Sequence, residues 1–312
     1  MAGRPVARLA AAIRVAGGHH TLLFGPTGTG KPILGGPTEP VPARFGHVLL
    51  RKLRMPLRKL AVRAYRRRLR RRLFRGPLPR HIGLIMDGNR RWAKQAGLTN
   101  PSDGHRQGAE HILDVLAWCE TAGIRHVTLF LCSAENLARR DDSEVAALMD
   151  VIERIVVGGI ATADPAWQVH VAGLVDMLPA TTADALKRAA EATRTCATDS
   201  HVTLCVGYGG RQEIAEAVRM LLLEQAAAGV SLAELAGTIA EDDIARHLAG
   251  DGQPEPDLII RTSGEQRMSN FLLWQSTGAY LHFCDCYWPA FTEVDFLRAM
   301  RDFARRSSAA DD

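Results

Sequence analysis

One run of the sequence, His81-Ile-Gly-Leu-Ile-Met-Asp-Gly-Asn-Arg-Arg-Trp-Ala-Lys94, combines residue types that bind a metal ion and an anion. Its apolar first half predicts a short buried strand, which the turn dipeptide Asp87-Gly88 ends. Asp87 is therefore expected at the C-terminal end of a strand, where open α/β sheets bind ligands. Asn89, Arg90 and Arg91 are expected to open the next helix, so that N–H and guanidinium groups converge as diphosphate binding requires. For this run alone, an ordinary polar turn is the alternative.

Four further segments carry polar residues beside predicted strands and helices. They are Gly104-His-Arg-x-Gly108, Ser133-x-Glu-Asn-x-x-Arg139, Gly207-Tyr-Gly-Gly-Arg-Gln-Glu213 and Arg261-Thr-Ser-Gly-Glu-Gln-Arg-x-Ser-Asn270. On one edge of a sheet they would form a cleft with several arginines and hydroxyl groups but few carboxylates. Such a cleft suits two phosphate-bearing ligands better than a sugar or a peptide.

The chain after His81 alternates apolar strands with amphipathic helices. The predicted strands are Ile82–Met86, Val127–Cys132, Val169–Val175, Val202–Val206, Leu258–Arg261 and Leu281–Cys286. Helices are predicted near residues 106–121, 143–157, 181–197, 211–227, 240–248 and 293–306. This alternation indicates an α/β fold with a mostly parallel central sheet surrounded by helices on both faces. We expect one domain over residues 78–306 and a short tail at residues 307–312.

The positive charge is concentrated in one segment. Residues 51–80 contain 14 of the 39 Lys and Arg residues and no acid. The basic pI therefore belongs to this segment, and we expect no nucleic-acid partner. The leucine spacing over residues 55–77 predicts a basic amphipathic helix, which either contacts anionic lipid head groups or leans on the main domain.

Neither a signal-peptide core nor a membrane span is recognisable, since no apolar stretch reaches the roughly 18 residues that a span needs. We expect a cytoplasmic protein, with peripheral contact at the inner face of the membrane through residues 51–80 as an option. The six cysteines lack the spacing of a disulfide framework and are expected to be reduced core thiols. His282, Cys284 and Cys286 alternate along one predicted strand, so a metal site there is the alternative, although no second ligand pair has zinc-site spacing.

Residues 1–54 are rich in Gly and Pro and predict a disordered or non-native extension, with Met55 as a candidate translation start. Within them, the run from Gly25 to Lys31 matches a phosphate-binding loop as far as its lysine. Pro32 then stands where a magnesium-binding hydroxyl belongs and removes a helical N–H, which disfavours a nucleotide site.

Taken together, these motifs resemble the cis-prenyltransferases, the undecaprenyl diphosphate synthase family. The matching elements run in order over about 230 residues, and the longest is Arg261-Thr-x-Gly-Glu-x-Arg-x-Ser-Asn-Phe-Leu-Leu-Trp-Gln275. The resemblance implies a homodimer with a hydrophobic tunnel beside the sheet. It also implies magnesium-dependent, Z-selective condensation of isopentenyl diphosphate with an allylic diphosphate.

The resemblance also implies roles for individual residues. Asp87 would be the magnesium-linked carboxylate, and Asn89 would assist proton removal from isopentenyl diphosphate. The allylic diphosphate would lie against Gly88, Arg90, Arg91, Trp92 and Arg139. The isopentenyl diphosphate would lie against Arg261, Arg267 and Ser269, and the reacting carbons would lie near His105, Ser133 and Asn136.

Product length is suggested by Leu131, which stands where long-chain members have a small residue on the tunnel-lining strand. With Leu137 in place of the usual Trp, it resembles the actinobacterial short-chain branch, which makes Z,E-farnesyl diphosphate from geranyl diphosphate. A longer-chain synthase is the alternative. Tyr280 replaces a glutamate that the family links to magnesium, which leaves open altered terpenoid chemistry or a non-catalytic binding role.

Overall fold

The structure is a computed structural model that describes residues 62–310 apart from 72, 74, 75, 162–165 and 249–251. The predictions for residues 1–54, including the run that ends at Lys31, lie outside the described residues. Met55 and the first residues of the basic helix lie outside them too.

Six strands form one sheet in which every neighbouring pair is parallel. They are β1 (His81–Ile85), β2 (His126–Ser133), β3 (Gln168–Ala172), β4 (His201–Tyr208), β5 (Leu258–Arg261) and β6 (Tyr280–Phe283). Their order across the sheet is β3-β4-β2-β1-β5-β6. The chain thus builds one side of β1 first and crosses to the other side with β5. A crevice is expected at such a switch point, beyond the carboxyl end of β1.

Helices connect these strands. They are α1 (residues 62–71), α2 (Asn89–Gln95), α3 (Pro101–Ala122), α4 (Ala134–Arg139), α5 (Asp142–Ile155), α6 (Ala180–Thr193), α7 (Gly210–Ala227), α8 (Leu232–Thr238), α9 (Glu241–Ala245) and α10 (Glu293–Ala310). A π-helical turn, Val156–Ile160, extends α5, and short 3-10 turns lie at Val175–Met177 and Trp288–Ala290. The predicted α/β class with a parallel central sheet and surrounding helices is confirmed.

The two faces of the sheet are covered differently. On one face, Leu84 and Leu129 join a large core with residues of α3, α5, α6 and α10. On the other face, Ile85 packs in a smaller cluster with Phe271 and Leu272 from the connection between β5 and β6. This connection consists of turns, and several of its residues have positive φ angles that a helix excludes. Helix α7 lies beside the same cluster, where the Tyr208 hydroxyl donates to Glu213.

The basic helix α1 leans on α10. Tyr65 and Leu69 pack against the large core, and Arg66 and Arg70 pair with Glu293 at 2.8 and 2.5 Å. Contact with the main domain, one of the two alternatives for this helix, is therefore observed over its described part. Other arginines of α1 are exposed, namely Arg63, Arg67, Arg68 and Arg71.

Some element ends differ from the predicted ones. The third strand stops at Ala172 instead of Val175, because Gly173 adopts a φ of 117° and turns the chain. The last helix continues to Ala310 through four residues that had been predicted as tail. Helices α4 and α8, each of one to two turns, were not predicted.

Candidate active site

The backbone of Asp87 is fixed just beyond the end of β1. Its carbonyl oxygen accepts hydrogen bonds from the Trp288 N–H at 2.9 Å and the Thr262 hydroxyl at 2.8 Å. Its carboxylate oxygen Oδ2 lies 2.6 Å from Nη2 of Arg261. The Asp87 side chain is 39% exposed, so the carboxylate has one edge bound to a guanidinium and one edge open to the cleft.

Arg261, the last residue of β5, connects Asp87 with the loop that follows β5. Its side chain is only 3% exposed, and Nη1 donates to Ser269 Oγ at 2.7 Å and to the carbonyl of Arg267. A buried guanidinium needs such partners, because an unpaired charge in the interior is costly. The Arg267 side chain, in contrast, is exposed and pairs with Glu265.

A glycine with a left-handed backbone conformation lies between β1 and α2. Gly88 has a φ of 102°, and a Cβ at this position would lie 2.7 Å from Cδ1 of Tyr287. Only glycine fits there. The first N–H groups of α2 have no side-chain cap and no partner within the helix. Arg91 donates to Ser263 Oγ at 2.8 Å and lies over the Tyr287 ring, 5.4 Å from its centroid.

The two glycines of Gly104-His-Arg-x-Gly108 allow α3 to pack against the start of α2. A Cβ at Gly104 would overlap the Asn89 carbonyl oxygen, and one at Gly108 would overlap Asn89 Oδ1. Asn89 Nδ2 donates to the Met86 carbonyl at 3.2 Å, while Oδ1 is buried without a hydrogen-bond partner. The Asn89 amide is therefore held in one orientation with a free acceptor atom.

His105 lies on α3 beside this amide. Burial, together with the nearby positive charge of Arg140, lowers its pKa to about 4. The imidazole is therefore neutral at pH 7, and its Nε2 atom is buried without a partner. Such a side chain can exchange a hydrogen bond with a ligand without adding charge.

The structure places Arg140, not the predicted Arg139, at the cleft. Arg139 is the last residue of α4 and is exposed. Arg140 follows it with extended backbone angles, which turn its side chain inward to 16% exposure beside Glu144. Its Nη1 atom is buried without a partner. Arg90 is paired with the same Glu144 at 3.3 Å.

The cleft has a volume of about 410 Å³. Asp87 is the one carboxylate among the described residues that line it, against three arginines. Ser133 and Asn136 line it as well, and Ser133 Oγ caps α4 by accepting the Asn136 N–H at 3.0 Å. The lining residues are Ile85, Met86, Asp87, Gly88, Asn89, Arg90, Arg91, His105, Phe130, Leu131, Cys132, Ser133, Asn136 and Arg140. Trp92 does not line it.

A narrow apolar cavity of about 40 Å³ opens from the cleft. Met86, Asn89, His105, Phe130 and Leu131 line both spaces. The remaining walls are mainly apolar and include Ile112, Leu148, Val151, Ile152, Ile155 and Trp288. Ala109, Val151 and Ile155 separate this cavity from a third space of about 360 Å³ between α3 and α5. The three spaces therefore lie in series, with the narrowest one in the middle.

The Gly209-Gly210-Arg211 turn supports the loop after β5. The N–H groups of Gly210 and Arg211 donate to the backbone and side-chain oxygens of Asn270, at 2.7 and 2.9 Å. These bonds hold Asn270 at a φ of 63° and its neighbour Ser269 at 51°. Non-glycine residues adopt these left-handed backbone angles only where surrounding contacts hold them.

Residue 280 lies away from Asp87, although the resemblance implied that Tyr280 stands where the family has a magnesium-linked glutamate. Tyr280 opens β6 opposite Leu258, the first residue of β5, whereas Arg261 at the other end of β5 pairs with Asp87. The Tyr280 ring packs edge-on against Phe303 of α10, with centroids 5.5 Å apart. His282, on the same side of the strand, faces Asp302 at 3.6 Å.

Protein oxygen atoms available to a cation are few. Within the described ranges, no group of three His, Cys, Asp or Glu residues is arranged to hold a metal ion. The open edge of the Asp87 carboxylate and the free Asn89 Oδ1 are hard oxygen donors. Mg²⁺ commonly binds through one or two carboxylates plus substrate phosphates, so this donor set fits Mg²⁺ that arrives with a diphosphate.

Comparison with protein families gave two matches. The family model for undecaprenyl diphosphate synthase matches residues 85–310. A second model, for the ChlI subunit of magnesium chelatase, matches residues 1–39, which lie outside the described residues.

Among curated proteins, an isoprenyl transferase of Streptomyces fradiae is 64% identical over 78% of this chain and 94% of its own length. A (2Z,6E)-farnesyl diphosphate synthase of Thermobifida fusca is 50% identical over 81% of this chain and 96% of its own length. Among solved structures, lavandulyl diphosphate synthase from Lavandula x intermedia, in complex with dimethylallyl diphosphate, superposes with a TM-score of 0.67 at 30% identity. That match covers 73% of this chain and 95% of the other.

Proposed function

Because this chain belongs to the undecaprenyl diphosphate synthase family, the cis-prenyltransferases, we propose that it condenses isopentenyl diphosphate with an allylic diphosphate to extend a prenyl chain with Z geometry. The preferred reaction converts geranyl diphosphate to Z,E-farnesyl diphosphate with release of diphosphate. The observation that carries this proposal is the arginine-lined cleft around Asp87, which continues into a narrow apolar cavity.

The cleft suits the allylic diphosphate. Arg90, Arg91 and Arg140 outnumber the single carboxylate of Asp87. As the allylic C–O bond breaks, negative charge develops on the departing diphosphate, and fixed cations stabilise it without reorganising. Arg140 thus takes the role that the sequence assigned to Arg139, because its side chain is the one turned into the cleft.

Arg261 joins the two substrate positions. It contacts Asp87 on the allylic side and Ser269 on the other side, and it is nearly fully buried. Isopentenyl diphosphate would bind against Ser269 and Arg267, whose exposed guanidinium would exchange its partner Glu265 for the diphosphate. The guanidinium of Arg261 would then lie between the two diphosphates.

Asp87 would hold Mg²⁺ together with phosphate oxygens. When bound, the ion would neutralise charge on the leaving diphosphate and act as a Lewis acid. Asp87 would have to exchange part of its contact with Arg261 for the cation, and its open carboxylate edge permits this.

Asn89 and His105 lie where the cleft meets the apolar cavity, which is where the reacting carbons would meet. The new C–C bond forms as the allylic C–O bond breaks, and the released diphosphate would then take up the proton that the condensed isopentenyl unit loses. The free Asn89 Oδ1 would orient that proton, and the neutral His105 would avoid adding a cation beside the allylic carbocation. Ser133 and Asn136 provide polar contacts at the opposite wall.

The size of the apolar cavity supports a short product. Leu131 projects from β2 into the junction between the cleft and a cavity of only about 40 Å³. A long product would have to pass the wall formed by Ala109, Val151 and Ile155. A short hydrocarbon tail fills the space with less displacement of packed side chains.

A homodimer would bury exposed apolar side chains of α7. Met220, Leu222 and Leu223 are 44%, 39% and 53% exposed on this helix. Large apolar side chains grouped on a surface are typical of subunit interfaces.

We also propose peripheral contact of α1 with the cytoplasmic side of a membrane. No helix in the described part of the chain is long and apolar enough to cross a membrane. The exposed arginines of α1 would bind anionic head groups. Co-sedimentation of the protein with vesicles of anionic lipid, but not with vesicles of neutral lipid, would support this contact. No co-sedimentation with either kind of vesicle would exclude it.

One assay tests the proposed reaction. The protein is incubated with Mg²⁺, isopentenyl diphosphate and, separately, dimethylallyl, geranyl and farnesyl diphosphates, and products are identified by mass and double-bond geometry. We expect Z,E-farnesyl diphosphate from geranyl diphosphate. Absence of product with every primer would refute a synthase, and mainly long polyprenyl products would refute the short-chain assignment.

A further inference from the structure

Two cysteines lie side by side just after β6. The sulfur atoms of Cys284 and Cys286 are 2.8 Å apart, and both side chains are partly exposed. The chain bends at Asp285, which brings the two thiols to the same side. Of the other cysteines, Cys119, Cys132 and Cys205 are buried, and Cys196 is partly exposed at the end of α6.

The backbone of this segment supports the loop after β5. The Cys284 N–H donates to the Arg261 carbonyl at 2.8 Å. The N–H groups of Gly264 and Ser263 donate to the carbonyls of Cys284 and Cys286, at 2.9 and 2.7 Å. Three hydrogen bonds therefore connect the two cysteines with residues 261–264.

That loop in turn contacts the cleft. Ser263 Oγ accepts a hydrogen bond from Arg91, and the Thr262 hydroxyl donates to the Asp87 carbonyl. Ser263 is held at a φ of 77°, a conformation that depends on its neighbours. A change in the backbone at residues 284–286 would therefore be transmitted to Asp87 and Arg91 through one intermediate loop.

We propose that Cys284 and Cys286 form a reversible disulfide when hydrogen peroxide oxidises them, and that this disulfide displaces residues 262–264 and switches the site off. The Cys284 thiolate attacks the peroxide O–O bond, giving a sulfenic acid and hydroxide, which takes up a proton to become water. The Cys286 sulfur then attacks the sulfenyl sulfur and expels the oxygen as a second water. Two thiols are oxidised by two electrons, and one peroxide is reduced to two waters.

The short distance between the two sulfur atoms favours a disulfide, but its formation requires a change in the backbone. A disulfide requires a sulfur separation of about 2.05 Å and a torsion near 90°, so the sulfurs must approach further and rotate. With a single residue between the cysteines, the backbone at Asp285 must absorb that change. Disulfides strained in this way are also readily reduced, which suits reversible control.

The order of attack follows from the contact between the thiols. The two thiols share a hydrogen bond in which either sulfur can donate, and this contact lowers the pKa of Cys284 and raises that of Cys286. Cys132, which lines the cleft, is a poor competitor, because burial raises its pKa to about 11. Peroxide selects thiolates, so Cys284 is the preferred first target.

The test uses the full chain, reduced and then exposed to equimolar hydrogen peroxide, with free thiols blocked before analysis. Peptide mass mapping locates the disulfide, and hydrogen exchange follows the amides of Ser263 and Gly264. Condensation rate is measured in parallel, before and after dithiothreitol. Cys284→Ser and Cys286→Ser remove the pair, and Cys196→Ser is the matched control. Only the rate measurement rests on the proposed function, since mapping and exchange need no activity.

We expect a Cys284–Cys286 disulfide, faster exchange at Ser263 and Gly264, and a rate lowered about a hundredfold, as a displacement near 1 Å of reacting groups produces. Dithiothreitol should restore both readouts, and Cys196→Ser should behave like the wild type. Both serine variants should keep full rate and unchanged exchange in peroxide. Oxidation at other cysteines in place of this pair, or a disulfide that leaves exchange unchanged, would overturn the proposal.

Discussion

At the scale of single residues, Asp87 is the centre of the proposed site because three sets of contacts fix its position. Its carbonyl is held by Trp288 and Thr262, one carboxylate edge is bound to Arg261, and the other edge faces the cleft. An aspartate on a flexible turn would lack these contacts, and its carboxylate would not be held toward the cleft. The chemistry therefore depends on residues far apart in sequence that fix one side chain.

The position of Tyr280 leads to a first prediction. Tyr280→Glu should not increase condensation, because the side chain faces Phe303 and not Asp87. It should lower the free energy of unfolding by about 1–3 kcal/mol, the cost of placing a charged group in an apolar contact. Tyr280→Phe, the matched control, should be close to neutral. Urea titration measures the stability of both variants, and the condensation assay measures their rates. A Tyr280→Glu variant faster than the wild type would contradict the position of residue 280 away from Asp87.

Leu131 leads to a second prediction. Leu131→Ala should widen the junction between the cleft and the apolar cavity, so that products longer than farnesyl diphosphate become abundant. The variant should also lose about 2–4 kcal/mol of stability, as large-to-small core changes do. Leu232→Ala at the start of α8, where the side chain is 76% exposed, is the control and should leave the product unchanged. Unchanged products from Leu131→Ala would show that another residue limits length.

The sequence predicted the identity of most cleft residues but not the orientation of all of them. Asp87, Gly88, Asn89, Arg90, Arg91, His105, Leu131, Ser133 and Asn136 were named in advance and line one space. Arg140 was missed, because neighbouring arginines at a helix end differ only in backbone angles that the sequence does not reveal. Arg140 lies next to a predicted residue, which was the one available signal.

At the scale of elements, the packing of α3 on α2 positions the catalytic groups. Gly104 and Gly108 let α3 approach so closely that Asn89 is fixed, and the Trp288 indole N–H donates to the Gly108 carbonyl at 2.6 Å. Helix α3 thus carries His105 to the mouth of the apolar cavity. The motif around His105 is explained by close packing as much as by chemistry.

Gly108→Ala tests this packing. The added methyl group would overlap Asn89 Oδ1 and lie 2.9 Å from Trp288, so Asn89 must move. We expect a fall in kcat of about a hundredfold in a folded protein, since misplacement near 1 Å costs about that much. Gly237→Ala in α8, where a Cβ meets nothing within 4 Å, is the control and should stabilise by up to about 1 kcal/mol. Equal rates for both variants would contradict the role of the packing.

The strands were the most predictable elements, because apolar runs such as Ile82–Met86 and Leu258–Arg261 have no polar face. The order of strands was not predictable, since it depends on which β-strands cross over. The short helices α4 and α8 begin with serine caps at Ser133 and Ser231. Both helices are too short to show an apolar repeat, so these serine caps were the sequence signal that could have predicted them.

At the scale of the whole molecule, buried histidines make stability depend on pH. Burial lowers the pKa of His81 from 6.5 to about 4, although its hydrogen bond with the Pro254 carbonyl acts in the opposite direction. Between these two values the unfolded chain binds a proton that folded His81 does not bind. Stability therefore falls as pH falls through this window, and His105 acts in the same direction.

His81→Asn should reduce this pH dependence. Between pH 7 and 4.5 the wild type should lose about 2 kcal/mol more than the variant, from one histidine with the shift described. Urea unfolding at the two pH values measures the difference. Equal losses in both proteins would mean that His81 takes up its proton in the folded state.

The arrangement of cavities is also a property of the whole chain. The cleft, the narrow cavity and the third space run in series beside the sheet, from the switch point of the strands to the gap between α3 and α5. Under the proposed function, the cleft would be the polar entrance for the diphosphates, and the narrow cavity would be the apolar path for the product. A sequence pattern predicts such a tunnel only through resemblance, because its width depends on side chains from several elements.

The rate of isopentenyl diphosphate incorporation into Z product, with geranyl diphosphate and Mg²⁺, tests the central claim most directly when Asp87→Asn is compared with Asp184→Asn. Asp184 is exposed on α6 and lines none of the three spaces. We predict that Asp87→Asn lowers the rate about a thousandfold, the scale of losing a preorganised electrostatic group, while Asp184→Asn keeps the wild-type rate. An Asp87→Asn variant that retained more than about a tenth of the wild-type rate would contradict that scale and the assignment of the site.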